Sequence, residues 1–321
     1  MGLEVTESRM GVDEPIRLSM TGLKIVLVIL ITLFLDTECW AQDEQMIHVV
    51  QTLRLVPLGN TLIQKAFLIW KTESLERLME NFKWSDASRT DTVLTRHYNP
   101  KTESEERERQ VMIYLRRDQS VGEVVLDLAH ELVHATSRPN FDPYNPLLSV
   151  GNYILGAIDG EGGEVDAVFM ECQVAVQLVS RLGIPLSRCQ GYLHSLSPSI
   201  GQQVDREKIR SDFYRVGDWY SELQVKLAEE KSVLALLSSE APHLFSSTGH
   251  TPYPFALMKE FEEITLLACK NSRNRIGQGK FKSFKKISYL LSFETPVNGE
   301  SLTERQKEVE YFIHKRCEGK E

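Results

Sequence analysis

Five consecutive residues, His130-Glu131-Leu132-Val133-His134, have the spacing of a metal-binding helix. Four residues of an α-helix turn the chain by about 400°, so His130 and His134 project from one face, one turn apart. Two neutral imidazoles at that separation can bind one zinc ion. Glu131 can take a proton from a metal-bound water and pass it to a leaving amine. The pattern therefore predicts zinc held by both histidines, with Glu131 as the general base of a hydrolase.

The surrounding sequence predicts that a buried helix carries this motif. Ser120 stands three residues before Glu123, which is the spacing of a capping box. Apolar residues follow at helical intervals to about Ser137. A helix with a buried side would hold both imidazoles rigidly. The alternative interpretation is a buried helix with two incidental histidines.

A zinc site needs a third protein ligand. The longer pattern HExxHxxGxxH would require glycine and histidine where the chain has Ser137 and Asn140. A carboxylate from a later helix is the alternative, and Glu164 lies 30 residues after His134, far enough for a loop and a returning helix. We therefore expect Glu164 to be the third ligand, although an acid at a helix N-terminus also suits the helix dipole. The rivals for this role are Glu161, Asp166 and Glu171.

These residues resemble the zincin metallopeptidases, in particular the gluzincins, whose third zinc ligand is a glutamate. The resemblance covers roughly residues 92–182 and rests on HELVH and on the start of the helix that carries Glu164. It implies an α+β, mostly α, zincin-like fold, with a short antiparallel sheet beside the HExxH helix and a helical C-terminal part. It also implies an edge strand that holds the peptide substrate, here Gln110 to Leu115.

The chain departs from the gluzincin pattern at one position. Many gluzincins have Asp or Asn four residues after the ligand glutamate, where it supports a histidine ligand, and this chain has Val168 there. We expect Asp166 to supply that hydrogen bond instead.

An oxyanion-stabilising residue is also expected downstream of the motif. We favour His250, in the loop over residues 247–251. The full set of candidates is Tyr192, His194, Tyr214, His243 and His250.

The remaining pattern predicts two strands and several helices. The strands are Thr92 to Tyr98 and Gln110 to Leu115, and the charged stretch Lys101 to Arg109 between them is interpreted as a solvated hairpin loop. The predicted helices cover residues 43–83, 120–137, 163–182, 205–237, 255–270 and 303–317.

The front of the chain predicts export. Lys24 precedes an apolar run over residues 25–35, and Ala41 ends a short segment after it, as in a secretory signal peptide. We expect residues 1–41 to be removed, with translation starting at Met20 as an alternative start and an uncleaved signal anchor as an alternative fate. Two parts are then expected, a catalytic part over residues 42–200 and a helical part over 201–321. Four cysteines would remain, enough for two disulfides in any of three pairings, with buried free thiols as the alternative.

Composition excludes two classes of protein. The chain has 321 residues, 42% of them hydrophobic, and a formal net charge of -8. An acidic chain is not typical of a general nucleic-acid binder, and one long apolar run does not make a multi-span membrane protein.

We therefore predict a secreted or periplasmic metallopeptidase with one zinc ion and a peptide or protein substrate, with no nucleic-acid partner and no stable membrane span after signal cleavage. The oligomeric state stays open. Two alternatives remain: a catalytically silent zinc-binding envelope protein, and a helical structural or interaction protein with an incidental HExxH.

Overall fold

In the part of the chain that the structure describes, helices dominate and five strands form two small sheets. The computed structural model describes residues 44–99, 104–139, 145, 148–184, 187–197, 201–229, 233–246, 250–277 and 317. The helices are α1 (residues 44–54), α2 (Pro57–Trp70), α3 (Leu75–Met79), α4 (Val121–Ser137), α5 (Val150–Ile158), α6 (Glu164–Leu182), α7 (Arg206–Phe213), α8 (Tyr220–Glu229) and α9 (Tyr253–Gly277). The strands are β1 (Phe82–Ser85), β2 (Arg89–Asn99), β3 (Ser104–Arg116), β4 (Leu193–Ser197) and β5 (Gly201–Val204).

The larger sheet has the strand order β1-β3-β2 and packs against α4. Strand β3 is parallel to β1 and antiparallel to β2, so Ile113 is paired with Phe82 on one side and with Thr90 on the other. The predicted edge strand, Gln110 to Leu115, is therefore an inner strand over Ile113 to Leu115, where β1 pairs with it, but β1 does not pair with Gln110 to Met112. In the part of the chain described, β2 is an edge strand of this sheet.

The hairpin is longer than expected. The backbone ladder between β2 and β3 runs to the pair Asn99 and Ser104. Most of Lys101 to Arg109 is therefore strand, although we predicted a loop there. A ladder is held by backbone hydrogen bonds, which charged residues form as well as apolar ones, so the charge pattern was a poor guide to where pairing stops.

Helix α4 forms as the sequence predicts and is the centre of the fold. The Ser120 side chain caps it by accepting a hydrogen bond from the Glu123 backbone N–H at 3.4 Å. Every residue from Val124 to Thr136 is buried except His130. The sheet, α2 and α6 pack around this helix, which fixes the direction of its side chains.

Helix α6 returns alongside α4 within the predicted bounds. Gly163 is its N-cap, and it ends at Gly183, whose φ of 65° is the left-handed conformation that often terminates helices. Along the chain, α5 lies between α4 and α6, and the sequence analysis did not predict it. Ser149 caps α5 by accepting a hydrogen bond from the Asn152 N–H at 3.1 Å.

The single helix predicted from Asp205 to Leu237 is wrong. Helix α7 ends at Phe213, a 3-10 turn covers Gly217–Trp219, and α8 follows. Gly217 has a φ of 49°, which no α-helix contains, so the helical pattern is interrupted there. Helix α9 is longer than the expected 255–270, and the helix predicted over 303–317 lies outside the described residues except for Cys317.

Two disulfides select one of the three pairings, Cys172–Cys189 and Cys269–Cys317. Disulfides form and persist in oxidising compartments, so these two indicate a location outside the cytoplasm. No helix in the described ranges is both long and apolar enough to cross a membrane. The proposed signal peptide over residues 1–41 lies outside those ranges.

The chain divides into one compact unit up to His48 and another from Val49 onward. The boundary expected at residue 200 stays a prediction.

Candidate metal centre

Three side chains from α4 and α6 converge on one point. The Nε2 atoms of His130 and His134 are 3.1 Å apart. The carboxylate of Glu164 faces both, with Oε2 at 3.5 Å from His130 Nε2 and Oε1 at 3.5 Å from His134 Nε2. The ligand atoms of this triad all lie within 4.8 Å of one another, so it can hold one metal ion.

The spacing of these atoms fits a small tetrahedral ion. Ligand atoms at about 2.0–2.1 Å from such an ion are about 3.3 Å apart, which lies between the two separations found. Glu164 is the first residue of α6, where the helix dipole also favours a negative charge. The rival Glu161 is exposed and is not part of the triad.

The other nitrogen of each imidazole has its own acceptor. His130 Nδ1 lies 2.9 Å from Glu171 Oε2, and His134 Nδ1 lies 2.7 Å from the Gly162 carbonyl oxygen. A proton on Nδ1 satisfies both contacts and leaves a lone pair on Nε2. Acceptors of this kind fix the tautomer and the ring direction that metal ligation requires.

Charges in the triad oppose the effect of burial. Burial favours the neutral form of Glu164, but both imidazoles outweigh it and hold the pKa of Glu164 well below its usual range. Burial likewise lowers the pKa of His130, but Glu164 and Glu171 outweigh it and raise that pKa well above the usual value. These shifts favour the anionic form of Glu164, which is the form that binds a cation, and a metal bound at this triad would displace a proton from His130.

Glu131 is buried beside the triad and is held by the sheet. The Thr90 hydroxyl on β2 lies 2.7 Å from Glu131 Oε2 and 3.1 Å from the Glu131 carbonyl oxygen. Burial raises the pKa of Glu131, while the two imidazoles and the Thr90 hydrogen bond oppose that rise. A carboxylate with a raised pKa is a stronger base, which suits proton transfer near neutral pH.

The predicted role of Asp166 needs correction. We expected Asp166 to bind a ligand histidine directly, but its Oδ2 accepts the Gly162 N–H at 3.0 Å. Asp166 therefore supports the turn whose carbonyl oxygen binds His134. Glu171, seven residues after Glu164 and on the same face of α6, makes the direct contact with His130.

Replacing Gly162 with alanine is expected to weaken both the fold and metal binding. Gly162 has a φ of 67°, and an added Cβ would lie 2.5 Å from the Arg138 backbone nitrogen. Strain of this kind costs about 1–3 kcal/mol of unfolding free energy. Displacing the carbonyl oxygen bound to His134 should also reduce zinc affinity about 10-fold. Chemical denaturation and zinc titration measure the two effects.

Gly183→Ala is the matched control, because Gly183 has nearly the same φ but no atom within 4 Å of an added Cβ. It should lose only about 1 kcal/mol and keep the zinc affinity of the parent. Equal zinc affinity in the Gly162→Ala variant would contradict the role given to this turn.

Tyr253 lies within electrostatic reach of the triad, and the sequence analysis did not name it. The carboxylate of Glu164, burial, and the charges of Glu131 and Glu171 all raise the pKa of its hydroxyl. The Tyr253 ring meets Phe213 edge to face, with centroids 4.8 Å apart. The phenol therefore lies within electrostatic reach of the triad and keeps its proton. The signal in the sequence was weak, a tyrosine between two prolines at the start of α9.

The predicted oxyanion residue His250 is exposed, with a φ of 53°, and its role stays a prediction. The other candidates have partners elsewhere. His194 pairs with Asp205, and the Tyr214 hydroxyl donates to Asp159. His243 lies 3.1 Å from the Arg215 guanidinium group. Burial and, to a smaller extent, the Asp212 carboxylate raise the pKa of the Tyr192 hydroxyl to about 12.

Comparisons with protein-family models, curated proteins and solved structures find no match to the chain. The geometry of the triad and its neighbours therefore carries the functional interpretation.

Proposed function

We propose that the chain is an exported zinc-dependent hydrolase, and more specifically a metallopeptidase. One observation carries the proposal: two imidazole nitrogens and a carboxylate converge at the spacing of a zinc site, next to a buried glutamate. In this assignment His130, His134 and Glu164 hold the zinc, and Glu131 is the general base.

The donor set favours zinc. Two imidazoles and one carboxylate are the protein ligands of one class of catalytic zinc site, which keeps a further position open for water or substrate. A structural site would use four protein ligands, and among the described residues three come together here. Zinc, when bound, acts as a Lewis acid that makes water a nucleophile at neutral pH.

Glu131 would move the proton of the reaction. In its anionic form it accepts a proton from the attacking water, and in its neutral form it returns that proton to the leaving amine. The Thr90 hydroxyl holds one carboxylate oxygen, so the group keeps its direction in both steps. Burial excludes bulk water from this carboxyl group, and the raised pKa brings its two protonation states closer in free energy.

The position of Thr90 supports a peptide substrate. It lies on β2, at the edge of the described sheet, so the general base is bound to an edge strand. An extended peptide can add to such an edge through backbone hydrogen bonds. A peptide bound there would pass beside Glu131, and β2 therefore takes the role that the sequence analysis gave to Gln110–Leu115.

A peptide-library assay of the purified protein tests this function. We expect cleavage by the zinc-loaded protein, loss of cleavage after chelation, and recovery when zinc is restored. Undiminished cleavage after complete removal of metal would contradict the proposal. Zinc binding without cleavage of any peptide would instead favour the silent zinc-binding alternative.

We take the Tyr253 hydroxyl, which keeps its proton within electrostatic reach of the triad, as the candidate oxyanion stabiliser in place of His250. Replacing Tyr253 with phenylalanine is then expected to reduce kcat about 100-fold, because a proton donor to the developing oxyanion is lost. Zinc affinity should stay that of the parent, since Tyr253 is not a ligand in this assignment. His250→Ala, measured in the same assay, separates the two candidates. A large loss of kcat in His250→Ala with none in Tyr253→Phe would reverse the assignment.

A further inference from the structure

An ionic cluster of two buried carboxylates and the partly exposed Arg188, whose side chain is 35% exposed, joins the two helices of the site. Glu171 on α6 accepts from His130 Nδ1 at 2.9 Å and from Arg188 Nε at 2.6 Å, each with a different oxygen. Both terminal nitrogens of Arg188 lie 2.6 Å from Asp127 Oδ1. Asp127 is on α4, three residues before His130. The guanidinium group therefore bridges α4 and α6 behind a proposed ligand.

The turn between β1 and β2 also contacts this cluster, through Ser88. The Ser88 hydroxyl donates to Asp127 Oδ2 and accepts the Arg116 backbone N–H at 2.9 Å. Asp127 and Glu171 are buried, at 6% and 4% exposure. Two buried carboxylates need a shared cation, and a planar guanidinium can satisfy both in a fixed geometry.

A disulfide fixes the position of that cation. Cys172 directly follows Glu171, and Cys189 directly follows Arg188. The Cys172–Cys189 bond therefore joins the residues adjacent to both partners of the ion pair, with their Cα atoms 5.3 Å apart. Arg188 lies in a turn between α6 and the next 3-10 helix, so no regular element holds it. The disulfide is buried and supplies that support.

We propose that Arg188, held by the Cys172–Cys189 disulfide, is a positioning residue of the metal site. It fixes the Glu171 carboxylate, which in turn fixes the His130 imidazole with Nε2 toward the triad. The inference rests on the proposed function, because it needs His130 to be a metal ligand. It adds that correct disulfide formation determines how tightly the site binds its metal.

Two variants with matched controls test this role. Arg188→Lys keeps a cation between the two carboxylates but loses the fork that binds both. The Cys172→Ser, Cys189→Ser double variant removes the brace. The control for the first is Arg210→Lys, because Arg210 binds Asp159 at 3.0 Å instead of a site residue. The control for the second is the Cys269→Ser, Cys317→Ser variant, which loses the other disulfide.

Zinc affinity by competition with a chelating dye, and the visible absorption spectrum of the cobalt-substituted protein, are the readouts. We expect both test variants to lose zinc affinity about 10- to 100-fold and to change the cobalt spectrum. The controls should keep the affinity and spectrum of the parent, even where thermal stability falls.

Parent-like zinc affinity and cobalt spectrum in folded Arg188→Lys would overturn the proposal and leave the metal site standing. Failure of Arg188→Lys to fold would also count against it, since the role would then be structural. If the parent itself binds neither zinc nor cobalt, the proposed function fails instead.

Discussion

The Glu131→Gln variant is expected to bind zinc as the parent does and to hydrolyse peptides about 100- to 10,000-fold more slowly. Glutamine has the size of glutamate, and its side-chain oxygen can still accept the Thr90 hydrogen bond. It has no basic oxygen, so it cannot accept the proton of the attacking water. Metal content, together with kcat and KM on one peptide, measures both halves of this prediction.

Glu161→Gln is the matched control for that loss. Glu161 lies close to the site helices in sequence but is exposed and outside the triad. Its variant should have the kcat and the metal content of the parent. If Glu131→Gln cleaves peptides as fast as the parent, the assignment of the general base is wrong.

Replacing Glu164 with alanine should remove stoichiometric zinc. This change deletes the one anionic ligand of the triad, so the Nε2 atoms of the two imidazoles, which are 3.1 Å apart, no longer face a carboxylate. The loss of zinc affinity should exceed the roughly 10- to 100-fold that loss of an outer partner causes. Isothermal titration and metal analysis after dialysis are suitable measurements.

Alanine variants of the other candidate carboxylates are the controls for this prediction, because they should lose less zinc affinity than Glu164→Ala or none. Glu171→Ala removes the partner of His130 and should cost zinc affinity by about 10- to 100-fold. Glu161→Ala should cost nothing. If Glu164→Ala retained the parent's affinity, or lost less than Glu171→Ala, the third ligand would have to be reassigned.

The sequence predicted the parts of the site that depend on local geometry. His130 and His134 share a face because an α-helix turns through 3.6 residues, and the cap at Ser120 is equally local. The return to Glu164 followed from the length of the connection and a glycine before α6. The contact of Glu171 with His130 also follows from the helical period, because residues 164 and 171 lie two turns apart and therefore on the same face of α6.

The sequence was a poor guide wherever distant segments meet. Strand β1 begins at the end of a stretch predicted to be helical, and its pairing with β3 covers Ile113–Leu115 of the predicted edge strand. Tyr253, whose hydroxyl pKa the carboxylates of the site raise, comes from the start of α9, more than 100 residues after the motif, and no spacing rule connects the two. Arg188 is positioned by a disulfide, and four cysteines do not reveal their pairing.

X-ray absorption on the zinc-loaded parent tests the central claim most directly. The account predicts one zinc per chain, with two imidazole nitrogens and a carboxylate oxygen at about 2.0–2.1 Å, and loss of one imidazole in His130→Ala. A parent that takes up no stoichiometric metal, or a zinc whose spectrum shows no imidazole, would contradict it.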